Sequence, residues 1–175
     1  MKFYSVTDGY IDFIRREHAH VYSNKELERS NTRKYIGVVL VIGEYNYFVP
    51  LSSPKPRDCK KDEHGKIVIQ KDTFTTFRII VNGDLHGTIQ FANMIPVPPG
   101  EVLEYDPNAE KDAKYKDLVL KEMEYVRKNE ERIQKRAAAV YRQKIYNPDA
   151  QVMRYCLDFQ ALEDLYDEWC KWVSE

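Results

Sequence analysis

Residues 50–55 read Pro-Leu-Ser-Ser-Pro-Lys and place two hydroxyl groups close to one ammonium group. They follow a strongly apolar stretch and open a basic loop. Because a residue that precedes proline avoids the helical region, Ser53 is expected to stay extended where the strand ends. The hydroxyls of Ser52 and Ser53 can donate hydrogen bonds to a phosphate, and Lys55 can supply positive charge. An ordinary strand-ending turn has the same composition, so the segment alone is compatible with either role.

A second group of cations precedes a predicted β-strand over residues 35–42, which is a continuous apolar run rich in β-branched residues. A Gly-Glu turn follows, and residues 45–51 are predicted to return as the antiparallel partner strand. The register of such a hairpin places Arg33 and Lys34 across the ladder from the serine pair. Arg33 or Lys34 should therefore meet the two serines and Lys55 at one end of the sheet.

Familiar catalytic and metal-binding motifs are absent from the sequence. It has no P-loop, no GxGxxG loop, no GxSxG elbow and no HExxH helix. The spacing of the four histidines favours structural or exposed positions, and no carboxylate cluster has metal-ligand spacing. Neither a metal site nor a cofactor is predicted. The three cysteines are odd in number and lack CxxC spacing, which favours a reducing cytoplasm over a disulfide framework.

Charge is unevenly distributed along a chain whose net charge is −1. Residues 111–144 contain eleven Lys/Arg against six Asp/Glu, whereas residues 158–175 contain six Asp/Glu and one Lys. Local basic surface attracts phosphates whatever the net charge. The thirteen tyrosines can stack on unpaired bases, although each of them can also fill the core. These features are typical of a nucleic-acid-binding surface or of ordinary solvated faces.

The predicted elements form a single α+β domain that spans all 175 residues. A short helix over residues 7–18 precedes the first hairpin, and Asn82-Gly83-Asp84 marks a second hairpin. One long helix is predicted over residues 112–144, and Asp158 is expected to cap a final amphipathic helix. The 43% hydrophobic content allows a sizeable core. Neither a signal peptide nor a membrane span is predicted.

Several short blocks stand in an order and spacing that resemble a known family. In chain order they are Met1-Lys2-Phe3-Tyr4, Tyr10-Ile11, Tyr35-Ile36-Gly37-Val38-Val39-Leu40, Tyr47-Phe48-Val49-Pro50-Leu51-Ser52-Ser53-Pro54-Lys55, Asn93-Met94-Ile95-Pro96 and Tyr115-Lys116. The chain resembles the ToxN/AbiQ toxins, including their CptN-like members. The Pro-Leu-Ser-Ser-Pro-Lys block is the most specific part. The resemblance continues into the long helix and more weakly to the last helix, so it covers most of the chain.

The resemblance implies a compact twisted antiparallel β-sheet, a Kid/MazF-like barrel, partly surrounded by helices. It implies a sequence-selective endoribonuclease that cleaves single-stranded cellular or phage RNA, the toxin of a type III toxin–antitoxin system. The expected inhibitor is a small repeated pseudoknot RNA that the toxin cuts from a precursor, in a closed toxin–RNA assembly. Without metal, the most accessible route to cleavage is attack by the 2′-hydroxyl of the RNA itself on the adjacent phosphate.

The resemblance also implies where the active site lies. A Thr/Ser-Ser pair and the lysine that follows belong to the active site of the family, which places Ser52, Ser53 and Lys55 there. A family lysine just before the aromatic-Ile-Gly strand matches Arg33, or Lys34 if the register slips by one residue. The catalytic candidates are therefore the two serines, Lys55 and Arg33.

Two positions depart from the family pattern, the Arg33 position and the position of an active-site tyrosine. That tyrosine falls on Arg29, and Tyr22 can replace it only if the path of the loop differs. The residues expected to contact RNA are Tyr10, Tyr22, Arg29, Lys34, Arg57, Lys60, Lys61, Tyr115 and Lys116.

Two other functions are compatible with the residues alone. The same basic edge can belong to a non-catalytic module that binds structured RNA. The acidic C-terminal helix can belong to a protein-interaction domain with a basic partner. Cleavage of RNA in EDTA separates the nuclease from the RNA-binding module, whereas salt-insensitive binding to a protein favours the interaction domain.

Overall fold

The computed structural model describes residues 1–24 and 32–174 of the chain. Its strands are β1 (Lys2–Val6), β2 (Tyr35–Ile42), β3 (Tyr45–Ser52), β4 (Cys59–Lys61), β5 (Ile67–Ile69), β6 (Thr76–Val81), β7 (Asp84–Gln90), β8 (Ile95–Pro96) and β9 (Val102–Glu104). Its α-helices are α1 (Asp8–Glu17), α2 (Ala113–Lys128), α3 (Glu130–Tyr146) and α4 (Phe159–Trp172). No helix within these residues is long and apolar enough to cross a membrane.

Seven strands form one antiparallel sheet in the order β6-β7-β3-β2-β1-β9, with β8 paired to β3, while β4 and β5 form a separate hairpin. The mixture of helices with an antiparallel sheet agrees with the predicted α+β class. In the part of the chain that the structure describes, β6 and β9 are the two ends of the sheet and do not pair with each other. The sheet is therefore open, and the predicted Kid/MazF-like barrel is not confirmed.

The predicted β2–β3 hairpin is confirmed. Tyr35 pairs with Pro50 and Ile36 pairs with Val49, and the register shifts beyond Ile36. At Gly37 an added Cβ would lie 2.1 Å from a ring carbon of Phe48. Only glycine allows the Phe48 ring to pack this closely on the neighbouring strand.

The second predicted hairpin is also confirmed, since β6 and β7 are joined at Asn82 and Gly83. Their φ angles are 52° and 86°, and a tight hairpin turn of this kind needs positive φ at both central residues. Asparagine and glycine are the residues that adopt this conformation most readily. The hairpin continues the sheet beyond β3, so that β7 lies beside the end of β3.

The single helix predicted over residues 112–144 is wrong, because α2 ends at Lys128, α3 begins at Glu130, and Asn129 separates them. The backbone of Asn129 leaves the helical region at φ −115° and ψ 16°. Its side-chain amide donates a hydrogen bond to the carbonyl oxygen of Tyr125 at 2.8 Å. Asparagine competes for backbone groups in this way, which interrupts a helix without proline or glycine. Strand β1 was not predicted.

Helices α1 and α4 pack together over one part of the core. Thr7 caps α1 and Asp158 caps α4, as predicted. Tyr10 is fully buried, its ring lies 5.5 Å from that of Trp169, and its hydroxyl donates to the carbonyl oxygen of Pro96 at 2.7 Å. The prediction that Tyr10 contacts RNA is therefore wrong, because its ring is part of the core.

Candidate active site

The end of the β2–β3 hairpin brings the predicted cations next to the serine pair. The backbone N–H of Leu51 donates to the carbonyl oxygen of Lys34 at 2.9 Å, which extends the ladder by one residue beyond Tyr35. In the same register Arg33 lies across from Ser52. The hairpin register on which the predicted convergence depends is thus present in the fold.

Arg33 is held against the end of β3. Its side chain is almost fully buried, and its Nη1 donates to the carbonyl oxygen of Leu51 at 3.0 Å. Its Nε donates to the carbonyl oxygen of Ser23 at 3.4 Å. The guanidinium carbon lies 4.3 Å from the centre of the Tyr22 ring, within the range of a cation–π contact. These contacts tie the segment before β2 to the strand that carries the serines.

Lys34 is enclosed by aromatic rings. Its residue is buried, and its Nζ donates to the carbonyl oxygen of Thr32 at 3.1 Å. The ammonium nitrogen lies 4.4 Å from the centre of the Tyr105 ring and 5.5 Å from that of Tyr115. Aromatic faces stabilise a cation that has lost part of its hydration, so this position favours a fixed charge.

The two serines differ in exposure. Ser52 is buried and pairs with Thr88 of β7, whose hydroxyl donates to the carbonyl oxygen of Ser52 at 3.4 Å. Ser53 lies just beyond the strand and is exposed to solvent. A hydroxyl that approaches a bound phosphate must be accessible, and Ser53 meets this condition better than Ser52.

A tight turn fixes the backbone that follows the serines. The N–H of Lys55 donates to a carboxylate oxygen of Asp58 at 2.9 Å, and the N–H of Asp58 donates back to the carbonyl oxygen of Lys55 at 2.8 Å. Asp58 is buried and forms a salt bridge with Arg78 at 2.9 Å. The backbone of Lys55 is therefore anchored to the protein while its side chain remains exposed.

The anchored turn leads into an exposed basic surface. We call Lys55, Arg57, Lys60 and Lys61 the basic loop, and all four side chains face solvent. Lys60 and Lys61 belong to β4, which pairs with β5 in the separate hairpin. The basic loop starts at the serine pair, so a phosphate chain bound along it would pass the site.

Glu122 of α2 brings a buried carboxyl group to the same region. An added Cβ at Gly87 would lie 2.5 Å from Oε1 of Glu122 and 3.2 Å from the carbonyl oxygen of Ser52. The carboxyl group therefore packs on β7 beside the strand end. Burial raises the pKa of Glu122 to about 8, and the positive charge of Lys34 partly opposes this shift.

Sequence reasoning did not find Glu122, although a signal was available. The residue lies three positions after Val119 and four positions before Val126, on the apolar face of α2. A carboxylate on a face that packs on the core must be neutral or paired, which marks it as a candidate for chemistry.

The remaining residues predicted to contact RNA differ in how they relate to the site. Tyr22 contacts Arg33, and Tyr115 contacts Lys34. Lys116 is partly exposed on α2. Arg29 lies outside the described residues. The structure therefore connects both tyrosines to the site through the cations that they cover.

These groups suit phosphate chemistry. The exposed hydroxyl of Ser53 and the ammonium group of Lys55 can bind phosphate oxygens and offset their charge. Glu122 can hold or release a proton near neutral pH. Among residues 1–24 and 32–174, no group of three or more His, Cys, Asp and Glu side chains is placed to hold a metal ion.

An α+β fold with a hydroxyl, three cations and a buried acid at one end of its sheet defines a candidate phosphodiester-processing protein. The chain belongs to the ToxN toxin family of type III toxin–antitoxin systems, whose family model matches residues 2–167. The resemblance seen in the sequence is thereby confirmed.

Two relatives show the same relationship at the level of whole chains. The endoribonuclease AbiQ of Lactococcus lactis subsp. lactis is 31% identical over 166 residues, which cover 93% of this chain and 86% of AbiQ. The endoribonuclease ToxN of Bacillus thuringiensis subsp. kurstaki is 30% identical over 176 residues, which cover 96% of this chain and 84% of ToxN.

Solved structures share the fold. The structure of AbiQ, a lactococcal anti-phage endoribonuclease of a type III toxin–antitoxin system, matches with a TM-score of 0.80 at 28% identity, over 97% of this chain and 98% of AbiQ. A second solved structure comes from a study of type III toxin–antitoxin systems and of selective toxin inhibition by a non-coding RNA pseudoknot. It matches with a TM-score of 0.80 at 26% identity, over 97% of this chain and 98% of the matched chain.

Proposed function

We propose that this chain is a sequence-selective endoribonuclease toxin that cleaves single-stranded RNA in the cytoplasm. The observation that carries the proposal is the ladder at the hairpin end, where the Leu51 N–H donates to the Lys34 carbonyl oxygen at 2.9 Å. This pairing brings Arg33 and Lys34 to the strand end that leads into Ser53 and Lys55. The endoribonuclease activity of AbiQ and of ToxN from Bacillus thuringiensis supports the same reading.

The proposed reaction needs no metal ion. The 2′-oxygen of one ribose attacks the adjacent phosphorus, its bond to phosphorus forms, and the bond from phosphorus to the 5′-oxygen breaks. One proton leaves the 2′-hydroxyl and one is delivered to the 5′-oxygen. The products are a 2′,3′-cyclic phosphate and a 5′-hydroxyl. The protein contributes alignment, charge compensation and proton transfer.

Ser53 and Lys55 are the proposed catalytic residues that contact the phosphate. The Ser53 hydroxyl donates a hydrogen bond to a non-bridging oxygen, and Lys55 offsets the negative charge that grows on the phosphorane. The turn held by Asp58 fixes the backbone of Lys55, so that less of its freedom is lost when RNA binds. Ser52 is the last residue of β3 and holds the backbone that leads to Ser53, while its own side chain is buried.

Arg33 is proposed to position the strand end, since two of its nitrogens already donate to carbonyl oxygens of the protein. Lys34 supplies a fixed buried charge. Glu122 determines the net charge around Lys34. With a pKa of about 8, its carboxyl group is neutral at lower pH, and it attracts the Lys34 ammonium group when it ionises. The Lys34–Glu122 pair is therefore the proposed source of pH dependence in the reaction.

The proposed inhibitor is a repeated RNA pseudoknot that the toxin cuts from a longer precursor, in a closed toxin–RNA assembly. A non-coding RNA pseudoknot inhibits the toxin in the related system whose structure matches this chain. The basic loop offers four exposed cations for phosphates next to the serine pair. An RNA bound there would cover the site and block access of the substrate.

The test is cleavage of a labelled single-stranded RNA by the purified protein in excess EDTA, with chemical mapping of the new ends. We expect cleavage to continue and to leave 5′-hydroxyl and cyclic phosphate ends. Loss of activity on chelation that a divalent ion restores would overturn the metal-free mechanism. RNA binding without any cleavage would instead favour a non-catalytic RNA-binding module.

A further inference from the structure

A cleft of about 510 Å³ lies beside the candidate active site. Tyr22 and Arg57 of the basic loop line the cleft. The Tyr22 ring also makes the cation–π contact with the Arg33 guanidinium group. Tyr155 and Arg154, from the segment that precedes α4, also line the cleft. The lining residues Thr76, Gln90, Ala92 and Asn93 are called the cleft floor. The backbone N–H of Leu157 donates to the carbonyl oxygen of Ala92 at 2.9 Å and fixes the segment of Tyr155 next to this floor.

Asn93 stands out on the floor of the cleft. It belongs to a segment whose neighbours on both sides, from Phe91 to Val97, are buried, whereas Asn93 is partly exposed. Its side-chain amide has no hydrogen-bond partner within the residues that the structure describes. Asn93 also opens the Asn-Met-Ile-Pro block that carries part of the family resemblance, and the proposed reaction gives it no role. An amide presents a donor and an acceptor together, as recognition of a base edge requires.

A chain of hydrogen bonds connects the cleft floor to the serine pair. The hydroxyl of Thr76 donates to the side-chain oxygen of Gln90 at 3.3 Å, and the side-chain nitrogen of Gln90 donates to the Thr88 hydroxyl at 2.7 Å. Thr88 in turn donates to the carbonyl oxygen of Ser52. The floor is thus held in fixed register with the residue that precedes Ser53, and a group bound in the cleft would be held in a fixed position relative to the site.

The lining of the cleft favours a nucleotide over an apolar ligand. Arg57 and Arg154 carry positive charge, and Tyr155, a residue that is 79% exposed, supplies an aromatic ring. Asp158 also lines the cleft, but its carboxylate caps α4 through the N–H of Ala161 at 3.2 Å. Cations for phosphate, rings for stacking and an amide for base edges together match unpaired RNA.

We propose that this cleft binds an unpaired nucleotide of the RNA next to the cleaved phosphate, and that the Asn93 amide reads the edge of its base. The inference rests on the proposed endoribonuclease function and assigns part of its sequence selectivity. Tyr155 stacks on the base, while Arg57 and Arg154 hold the flanking phosphates. The bound base places the adjacent phosphodiester at Ser53.

The experiment compares Asn93→Asp with the wild-type protein on a library of single-stranded RNA, and the cleavage sites are read by sequencing. The substitution keeps the shape of the side chain but replaces its donor with an acceptor. We expect the base preference at one position beside the cleaved bond to change by about tenfold or more. Asn108→Asp is the matched control, because it makes the same charge change on the short helix Pro107–Ala109, outside the cleft.

A binding measurement separates this inference from the proposed function. The same RNA sequences are titrated against the Ser53→Ala protein, with and without Asn93→Asp, by fluorescence anisotropy. An Asn93-dependent base preference in binding supports the cleft even if the wild-type protein cleaves nothing, and in that case the proposed function fails alone. Unchanged preference in both cleavage and binding, with a normal circular dichroism spectrum, would overturn the cleft assignment.

Tyr155 offers a second, independent variant. Tyr155→Ala should raise the KM for RNA by about fivefold or more, since stacking on a base is lost, whereas Tyr155→Phe should retain the wild-type KM. Tyr146→Ala is the control, because Tyr146 is 82% exposed and lies outside the cleft. Equal KM values for Tyr155→Ala and Tyr146→Ala would contradict the stacking role.

Discussion

The Arg33 guanidinium donates a hydrogen bond to the carbonyl oxygen of Leu51 at 3.0 Å, one residue before the serine pair. Arg33 precedes β2 and Leu51 lies in β3. A side-chain hydrogen bond therefore joins the segment before β2 to β3, at the same end of the hairpin as the backbone hydrogen bond between Leu51 and Lys34. A charge-assisted bond between buried groups resists opening more strongly than a neutral one. The position of Ser53 therefore depends on Arg33.

Arg33→Lys keeps the charge but loses the forked geometry that reaches both carbonyl oxygens. We expect the free energy of unfolding to fall by about 1–3 kcal/mol, as for a lost buried hydrogen bond to a charged group. RNA cleavage should fall as well, because the strand end is held less firmly. Thermal and denaturant unfolding test the first effect. Arg16→Lys, at an exposed position on α1, serves as the control. A variant with weaker cleavage but wild-type stability would argue that Arg33 contacts RNA instead.

Glu122 should make stability depend on pH. Its pKa is raised to about 8 in the folded protein, above the usual value of 4.5, so the folded state holds its proton more tightly. Its stabilising contribution is fully present below that usual value and is lost as the pH rises through about 8. Glu122→Gln removes this dependence. The Tm of Glu122→Gln minus the Tm of the wild type should therefore increase as the pH is raised from about 5 to about 9.

The pH profile of cleavage distinguishes a role of Glu122 in the reaction from a purely structural one. In the wild type, we expect a break in the rate near pH 8, where the carboxyl group ionises beside Lys34. Glu122→Gln should lack this break and should approach the wild-type rate at lower pH, where Glu122 is neutral. Glu124→Gln changes an exposed carboxylate on the same helix and should leave the break in place. A break that persists in Glu122→Gln would assign it to another group.

Sequence patterns predicted the elements that position the site. The β-branched run of residues 35–42 and the short turn after it determined the β2–β3 register, and this register brought Arg33 and Lys34 to the serine pair. Pairing across a hairpin is a local relationship, so the sequence determines it well. The caps at Thr7 and Asp158 were predicted for the same reason, since each depends on one side chain and the next turn of helix.

Long-range packing determined what the sequence pattern missed. Tyr10 lies on the apolar face of α1, and the fold places Trp169 against its ring in place of the predicted RNA contact. The spacing within α2 places Glu122 on the apolar face, but its neighbours there, β7 and Lys34, come from elements far away in the chain. These roles depend on contacts between elements that are far apart in the chain.

Salt dependence tests the basic loop as the surface that binds the RNA antitoxin. Each phosphate that the protein neutralises contributes a slope of about −0.7 to −0.9 to the log–log plot of affinity against salt. Lys60→Gln with Lys61→Gln should flatten that slope by about one to two, because both side chains are exposed on β4. Lys2→Gln with Lys171→Gln removes the same charge elsewhere and should leave the slope unchanged. Equal slopes for both double variants would place the interface outside the basic loop.

The most direct test of the proposed active site is cleavage of single-stranded RNA by Ser53→Ala under single-turnover conditions. The substitution removes one exposed hydroxyl without changing charge, and Ser174→Ala makes the same change far along the chain. We expect Ser53→Ala to cleave about 10²–10³-fold more slowly, the loss expected for a donor to the transition state. Its affinity for antitoxin RNA should fall by less than about tenfold, since binding is spread over many phosphates. A folded Ser53→Ala protein that cleaves RNA at the wild-type rate would contradict the assignment of the active site.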